Sequence, residues 1–263
     1  NNSKYHIPMN KDKIKVVLLA GGKGTRIREE TDITPKPMIK VGKIPVIEHI
    51  MNRYIKFGLN NFLICTGYKS EVINNYFANY STTRDFSINT SNNSITPSSK
   101  LPDFNLEVIF TGNETETGGR IYKIRDKIEE DTFIVSYGDC LANVDLDKLI
   151  NFHKNKNKIA TITVTKLHSR FGFVELDDES LVNSFREKER EKQLYSIGFM
   201  VFNKKVFDYL DENVTLEKEP FTNLVKDEEI VAFEHEGFFE PMDTYREYLK
   251  LNKLWDSDNA PWE

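Results

Sequence analysis

The sequence predicts an α/β fold: a mixed, mostly parallel sheet with helices on both faces. Two observations carry that expectation. Short, continuous apolar runs, as expected of strands buried on both faces, alternate through the first half of the chain with stretches whose apolar residues recur at helical spacing. In the second half the runs crowd together with little room for crossover helices, so antiparallel strands are expected to join the sheet. A chain of 263 residues suffices for one such domain. At that size about 70–75% of the unfolded surface is buried without disulfide or metal staples.

Taken in order, residues 14–20 read as the first strand. Val46, Ile47, Ile50, Met51, Tyr54 and Ile55 then draw one apolar stripe along a helix. Residues 61–67 give the second strand, Val72, Ile73, Tyr76 and Phe77 a second helix, and residues 106–112 and 132–137 the next two strands. Leu146, Leu149 and Ile150 mark a helix behind the capping residue Asp145. Strands follow at 159–166, 172–176, 181–188 and 195–202, and helices at 206–210 and 244–255. Neither a linker nor a repeat interrupts this order. The expected organisation is a flexible tail over 1–13 and a single domain over 14–263. Between 81 and 99, thirteen of nineteen residues are Ser, Thr or Asn, without periodicity. That interval, 81–100, is expected to be a mobile polar excursion, a lid or an oligomer contact.

Composition narrows the partners. With 36 Lys and Arg against 41 Asp and Glu, the net charge of −5 argues against a nucleic-acid binder. No apolar run reaches the roughly 18–20 residues of a membrane span, and the polar opening lacks a signal peptide's apolar segment. Two cysteines, Cys65 and Cys140, make no disulfide framework, and the five histidines show no zinc-ligand spacing. A cytoplasmic protein with reduced thiols is expected.

The strongest local signal is Leu18-Leu19-Ala20-Gly21-Gly22-Lys23-Gly24-Thr25-Arg26. A buried strand runs into three glycines within four positions, then a hydroxyl and a guanidinium. Glycines let backbone N–H groups close on an anion, and Arg26 adds a planar cation suited to phosphate oxygens. The dinucleotide fingerprint fails because Ile27 stands where its third glycine is needed, and the Gly-Lys-Ser/Thr of a P-loop is absent. Further on, Thr34-Pro35-Lys36-Pro37-Met38 frames one lysine between prolines. Such a frame aims Lys36 at a fixed angle, as a second cation for phosphates.

Together these residues resemble the sugar-1-phosphate nucleotidyltransferases, whose signature is Gly-Gly-x-Gly-Thr-Arg followed by Pro-Lys-Pro. The likeness continues through Thr117-Gly118-Gly119-Arg120, Tyr137-Gly138-Asp139, Arg170-Phe171-Gly172, Glu187-Lys188 and Pro241-Met242-Asp243-Thr244. The stretch from Phe233 to Phe238 and the run Ala260-Pro261-Trp262 look most like the family's cytidylyltransferases. The resemblance implies a Rossmann-like domain with its site across the carboxyl ends of the sheet. It implies that a phosphate oxygen of an acceptor attacks the α-phosphorus of CTP and that diphosphate leaves. Ala20, Gly21, Gly22, Gly24, Thr25 and Arg26 would cradle the triphosphate. Thr117, Gly118, Gly119 and Arg120 would lie beside base and ribose. Asp139 and Asp243 would hold Mg²⁺, and Arg26, Lys36 and Asp139 would carry catalysis. Without the resemblance, Asp243 reads better as a helix N-cap. Homo-oligomers and a cytidylyl-linked product for surface polysaccharide are implied likewise.

The acceptor segment departs from the pattern. Glu187 and Lys188 stand, and Lys188 can meet the acceptor phosphate. Ser196 and Ile197 replace the Asn-Gly that precedes Gly198 in similar enzymes. Ile197 adds bulk where a ligand would approach the backbone, and Ser196 loses reach toward sugar hydroxyls. The acceptor of Glu187, Lys188, Ser196, Ile197 and Gly198 is then a sugar 1-phosphate, of the glucose 1-phosphate kind, in a repacked pocket. The alternative is a non-sugar phosphate: a polyol phosphate, a phosphonate or a phosphorylated amino acid.

Overall fold

The computed structural model describes residues 11–23, 34–167, 172–187 and 193–263. Its centre is an eight-stranded sheet. We number the strands β1 (Lys15–Ala20), β2 (Asn61–Thr66), β3 (Asn105–Phe110), β4 (Thr132–Tyr137), β5 (Ala160–Thr165), β6 (Tyr195–Ser196), β7 (Met200–Asn203) and β8 (Ile230–Glu234). β1 pairs parallel with β2 and with β4, and β2 parallel with β3. β7 runs antiparallel to β4. Beyond it, β5 pairs antiparallel with β6 and β7 and parallel with β8. The mostly parallel, mixed sheet predicted from the apolar runs is therefore present.

Alternation along β1 explains the two cores. Val16, Leu18 and Ala20 face one layer, which includes Ile47, Ile50 and Met51 of α1 (Val46–Lys56), Ile73 of α2 (Ser70–Ala78) and Leu149. Val17 and Leu19 face the other, with Ile121 of α3 (Thr117–Lys123). Helix α4 (Leu146–Lys156) joins the first layer, and Asp145 caps it by accepting from the Lys148 N–H at 3.0 Å. Helix α5 (Glu219–Lys226) joins the second through Leu224, and α6 (Tyr245–Asp256) the first through Leu251. Helices thus cover both faces, as the pattern predicts.

Four local departures have physical causes. The predicted strand over 195–202 is interrupted at Ile197–Phe199 because Gly198 (φ +82°) and Phe199 (φ +51°) take left-handed backbone. The register Val164↔Ser196 and Thr161↔Val201 makes β6 and β7 two pieces of one strand path around that bulge. The predicted helix over 206–210 is a 3-10 helix, Lys204–Tyr209. Within 81–100, where no regular structure is expected, Phe86–Asn89 pairs antiparallel with Ser94–Pro97. Its base is held by Glu48, 1% exposed, which accepts from Arg84, from Tyr76 and from the Tyr80 hydroxyl at 2.8 Å. The expected tail over 1–13 is described from Lys11 on. Lys11–Lys13 form a 3-10 turn, and Lys11 Nζ pairs with Asp147 and donates to the Phe57 carbonyl at 3.2 Å.

Two buried histidines set the acid sensitivity of this core. His153 is 5% exposed with Nδ1 at 2.8 Å from Thr161 Oγ1, and burial pushes its pKa down to about 4. His49, lowered likewise by burial, accepts at Nδ1 from the Trp262 indole N–H at 3.2 Å, which leaves Nε2 to donate to the Val41 carbonyl. A pKa depressed in the folded state means that the unfolded chain binds more protons between that value and the ordinary 6.5. Stability is therefore expected to be full above about pH 6.5 and to fall steadily toward pH 4. Urea unfolding midpoints across that window check it, and a flat profile would contradict it.

Candidate active site

Three short elements bring one charged centre together at the carboxyl end of β4. Lys36 opens the 3-10 turn Lys36–Met38, held on its amino side by Pro35 in extended geometry (φ −65°, ψ 146°). Asp139 lies between β4 and the strand Cys140–Ala142. That strand pairs antiparallel with Phe239–Pro241 in the register Pro241↔Cys140. The Met242 N–H donates to the Asp139 carbonyl at 2.9 Å, so the ribbon carries Asp139 and Asp243 to the same place. Lys36 Nζ then donates to Asp139 Oδ2 at 3.1 Å and to Asp243 Oδ1. Lys36 is 9% exposed. Burial works against its charge, but Asp139 and then Asp243 outweigh it and hold the ammonium above its ordinary range.

Asp243 does not cap α6. Thr244 does, with Glu247 closing a capping box and its Oε2 accepting from the backbone N–H of Asp243 (2.8 Å) and of Thr244 (2.9 Å). The Asp243 carboxylate is left to face Lys36. Cys140, buried beside Asp139 with Sγ 3.5 Å from Oδ1, has its thiol pushed well up by burial and by that carboxylate. It is a packing residue, not a nucleophile.

The second wall is the carboxyl edge of the parallel strands. Ala20 ends β1 and Gly21 and Gly22 follow it into the cleft. Arg120, 4% exposed, aims its guanidinium at the backbone here. Nη1 donates to the carbonyls of Thr66 (3.1 Å) and Gly112 (2.8 Å) and to Thr111 Oγ1 (2.8 Å), and Nη2 to the Gly21 carbonyl (3.0 Å). One side chain thus ties the ends of β1, β2 and β3. The glycines beside it are there for space: a Cβ at Gly21 would come within 2.1 Å of Arg120 Cζ, and one at Gly67 within 2.5 Å of the Gly112 carbonyl oxygen. Gly118 and Gly119 serve the same end on α3, where added Cβ atoms would meet Val214 at 2.7 Å and the Glu212 carbonyl oxygen at 2.3 Å.

Between these walls lies a cleft of about 270 Å³, lined by Ala20, Gly21, Gly22, Lys36, Thr117, Arg120 and Asp139 among the predicted residues. Leu19, Pro37, Thr115, Glu116 and Tyr137 complete it. Leu19, Pro37 and Tyr137 stood inside motifs; Thr115 and Glu116 carried no signal of their own. Gly24, Thr25, Arg26 and Lys188 lie outside the described residues, as do Arg170 and Phe171. Glu187 and Ser196 are exposed and line no part of the cleft. Ile197 is 2% exposed and packs in the core layer of Leu18 and Phe199, so its bulk goes into the core. Gly198 gives room to Tyr137, whose Cδ2 would lie 2.8 Å from an added Cβ.

The donor set suits a hard cation. Asp139 and Asp243 converge on one point, and such an ion takes one or two carboxylates and completes its shell with phosphate and water. Among the described residues no group of three or more metal-ligating side chains exists, so substrate oxygens would have to complete the shell.

An open α/β sheet binds its ligand at the carboxyl ends of its strands, where the glycine edge and the paired carboxylates lie. The family model described as "Nucleotidyl transferase" matches residues 15–235, and the chain belongs to that family. It is 39% identical over 255 residues to the glucose-1-phosphate cytidylyltransferase of Salmonella typhi, covering 95% of this chain and 99% of that one. To the probable glucose-1-phosphate cytidylyltransferase of Bacillus subtilis it is 37% identical over 253 residues, with the same coverage. Among solved structures, UTP-bound UGPase from Acinetobacter baumannii shares the fold with a TM-score of 0.69 at 17% identity, covering 93% of this chain and 94% of that one. Among the described residues no helix is long and apolar enough to cross a membrane.

Proposed function

We propose that this chain is a cytidylyltransferase that joins CMP from CTP to a sugar 1-phosphate of the glucose 1-phosphate kind and releases diphosphate. The convergence of Lys36, Asp139 and Asp243 beside the glycine edge of β1 carries the reading. Identity of 39% along nearly the full length of a glucose-1-phosphate cytidylyltransferase supports it. An acceptor phosphate oxygen forms a bond to the α-phosphorus as the bond to the bridging oxygen breaks, and the electron pair leaves with diphosphate. No covalent intermediate on the protein is needed, so positioning and charge do the catalysis.

The roles of the cleft-lining residues rest on position, and the others on the resemblance to the family. Ala20, Gly21 and Gly22 border the nucleotide, and Gly24, Thr25 and Arg26 continue the cradle along the triphosphate. Asp139 and Asp243 hold Mg²⁺, which when bound supplies positive charge to the triphosphate and the departing diphosphate. Lys36, released from the carboxylates it bridges, turns to phosphate oxygen. Thr117, Gly118 and Gly119 lie beside base and ribose. Arg120 acts by fixing the Gly21 end of β1, because its Nη1 and Nη2 already donate to four oxygens. Glu187, Lys188, Ser196 and Gly198 form the acceptor side, and the inward packing of Ile197 favours a sugar over a smaller acceptor, since its side chain takes no acceptor space. The reading includes a cytoplasmic homo-oligomer; the unpaired Cys65 and Cys140 support the reducing compartment.

The test is diphosphate release from CTP across glucose 1-phosphate, other sugar 1-phosphates, polyol phosphates, phosphonates and phosphorylated amino acids. Glucose 1-phosphate is expected to be turned over fastest. Chelation with EDTA is expected to abolish release, and Mg²⁺ to restore it. Release only with a non-sugar acceptor would reassign the acceptor. Silence with every CTP–acceptor pair would remove the function.

A further inference from the structure

We infer that Glu217 selects the nucleotide base, accepting a hydrogen bond from the exocyclic amino group of cytosine and repelling the carbonyl oxygen that uracil and thymine carry at that position. The inference rests on the CTP reading above and adds the residue that enforces it. Glu217 spans two side chains of the cleft wall. Thr117 Oγ1 donates to Glu217 Oε2 at 2.7 Å, and the Tyr137 hydroxyl donates to Oε1. Thr117 Oγ1 is itself fixed from behind by the Leu216 N–H at 2.9 Å. Gly198 leaves the room that the Tyr137 ring occupies, where any side chain would run into it.

The consequence is that the hydroxyls of this wall have no proton left to give a ligand. The Thr117 and Tyr137 protons are committed to Glu217, and the third hydroxyl on this wall, Thr115, donates to the Thr111 carbonyl at 2.6 Å. Glu116, exposed and lining the same cleft, adds another carboxylate. The hydroxyls and carboxylates of this wall therefore offer lone pairs, and a ligand edge that meets them has to bring protons. Cytosine brings an amino group there, and a carboxylate is its usual acceptor. Uracil and thymine bring an oxygen, which meets lone pairs with no proton between them, a costly mismatch once water is excluded.

Two measurements test this. In the first, kcat/KM for CTP and UTP is compared in the unsubstituted protein, Glu217→Gln and Glu217→Ala, with one acceptor. A glutamine can turn its N–H₂ toward uracil, so Glu217→Gln is expected to narrow the preference for CTP by at least ~10-fold, about 1.4 kcal/mol. UTP should improve while CTP declines. A merely structural tie would lower both nucleotides by one factor, and that result overturns the inference. In the second, binding of N4,N4-dimethyl-CTP to the unsubstituted protein is compared with binding of CTP by calorimetry, which needs no variant to fold. The dimethyl compound is expected to bind at least ~10-fold more weakly; equal binding overturns the inference. If the unsubstituted protein turns over UTP and not CTP, the functional reading itself has failed, a result distinct from an unchanged CTP-to-UTP ratio in the variants.

Discussion

Asp139→Asn is expected to lower diphosphate release from CTP by about 10³-fold while leaving the fold intact. Asparagine keeps the shape of the side chain but removes its charge, and two functions go with that charge. The proposed Mg²⁺ site loses one of its two carboxylates, and a hard cation held by only a few protein ligands depends on each. Lys36 loses the carboxylate that does most to hold its charge in place and keeps Asp243 alone, so it is less well positioned for phosphate. Removal of a single preorganised electrostatic group typically costs 10²–10³ in turnover, and the combined loss puts this variant at the upper end. The stability cost is smaller, because the side chains of Asp139 and Asp243 are 28% and 32% exposed and water screens what remains. About 1 kcal/mol, or roughly 2–4 °C in Tm, is expected for a domain of this size. Steady-state diphosphate release read beside thermal unfolding separates the two effects. Turnover within tenfold of the unsubstituted protein would remove Asp139 from the chemistry.

The parallel half of the sheet was legible in the sequence because each strand is a continuous apolar run and each covering helix a clear stripe. Legibility failed where local backbone overrides pattern. The run over 195–202 reads as one strand, since nothing in the hydrophobic order shows that Phe199 takes φ +51° beside Gly198. Helix α3 was hidden for the opposite reason. Its glycines lower helix propensity, and they are required by contacts with residues 212–216 that are remote in sequence. The hairpin Phe86–Asn89 with Ser94–Pro97 escaped because its anchor is a buried carboxylate on another helix, Glu48.

The charged centre shows the same division. Lys36 stands out through its proline frame, and Asp139 through the family resemblance. Their meeting with Asp243 depends on a ribbon of three residues a side, too short to leave a periodic trace. Ile197 falls in the acceptor segment because it stands where similar enzymes carry a glycine; the bulge turns its bulk into the core. Glu217 sits in an irregular segment with no motif, and only its two hydroxyl partners single it out. Residues that bind through side-chain chemistry were thus easier to read than residues that work by fixing other side chains.

Gly21→Ala should be the most damaging single methyl group at the site, because it strikes such a fixing residue. A Cβ there would lie 2.1 Å from both Cζ and Nη1 of Arg120, well inside van der Waals contact. The guanidinium cannot step aside cheaply: it is 4% exposed and donates to the Thr66, Gly112 and Gly21 carbonyls and to Thr111 Oγ1. Moving it strands buried acceptors at the ends of three strands, at about 1–3 kcal/mol for each left unpaired, and overpacking adds about 1–3 kcal/mol. Partial relaxation brings the expected loss to about 3 kcal/mol, or roughly 6–12 °C in Tm. CTP turnover should fall at least ~10²-fold, since the displaced backbone is the edge proposed to border the nucleotide and small misplacements of a positioned group carry that cost. Gly22 supplies the control. An added Cβ there meets nothing within 4 Å, so Gly22→Ala should shift stability by less than about 0.5 kcal/mol. Thermal unfolding of the two variants side by side decides the matter. If Gly21→Ala melts with Gly22→Ala, the first glycine serves only the turn, and Arg120 is not the clamp that holds the nucleotide edge in place.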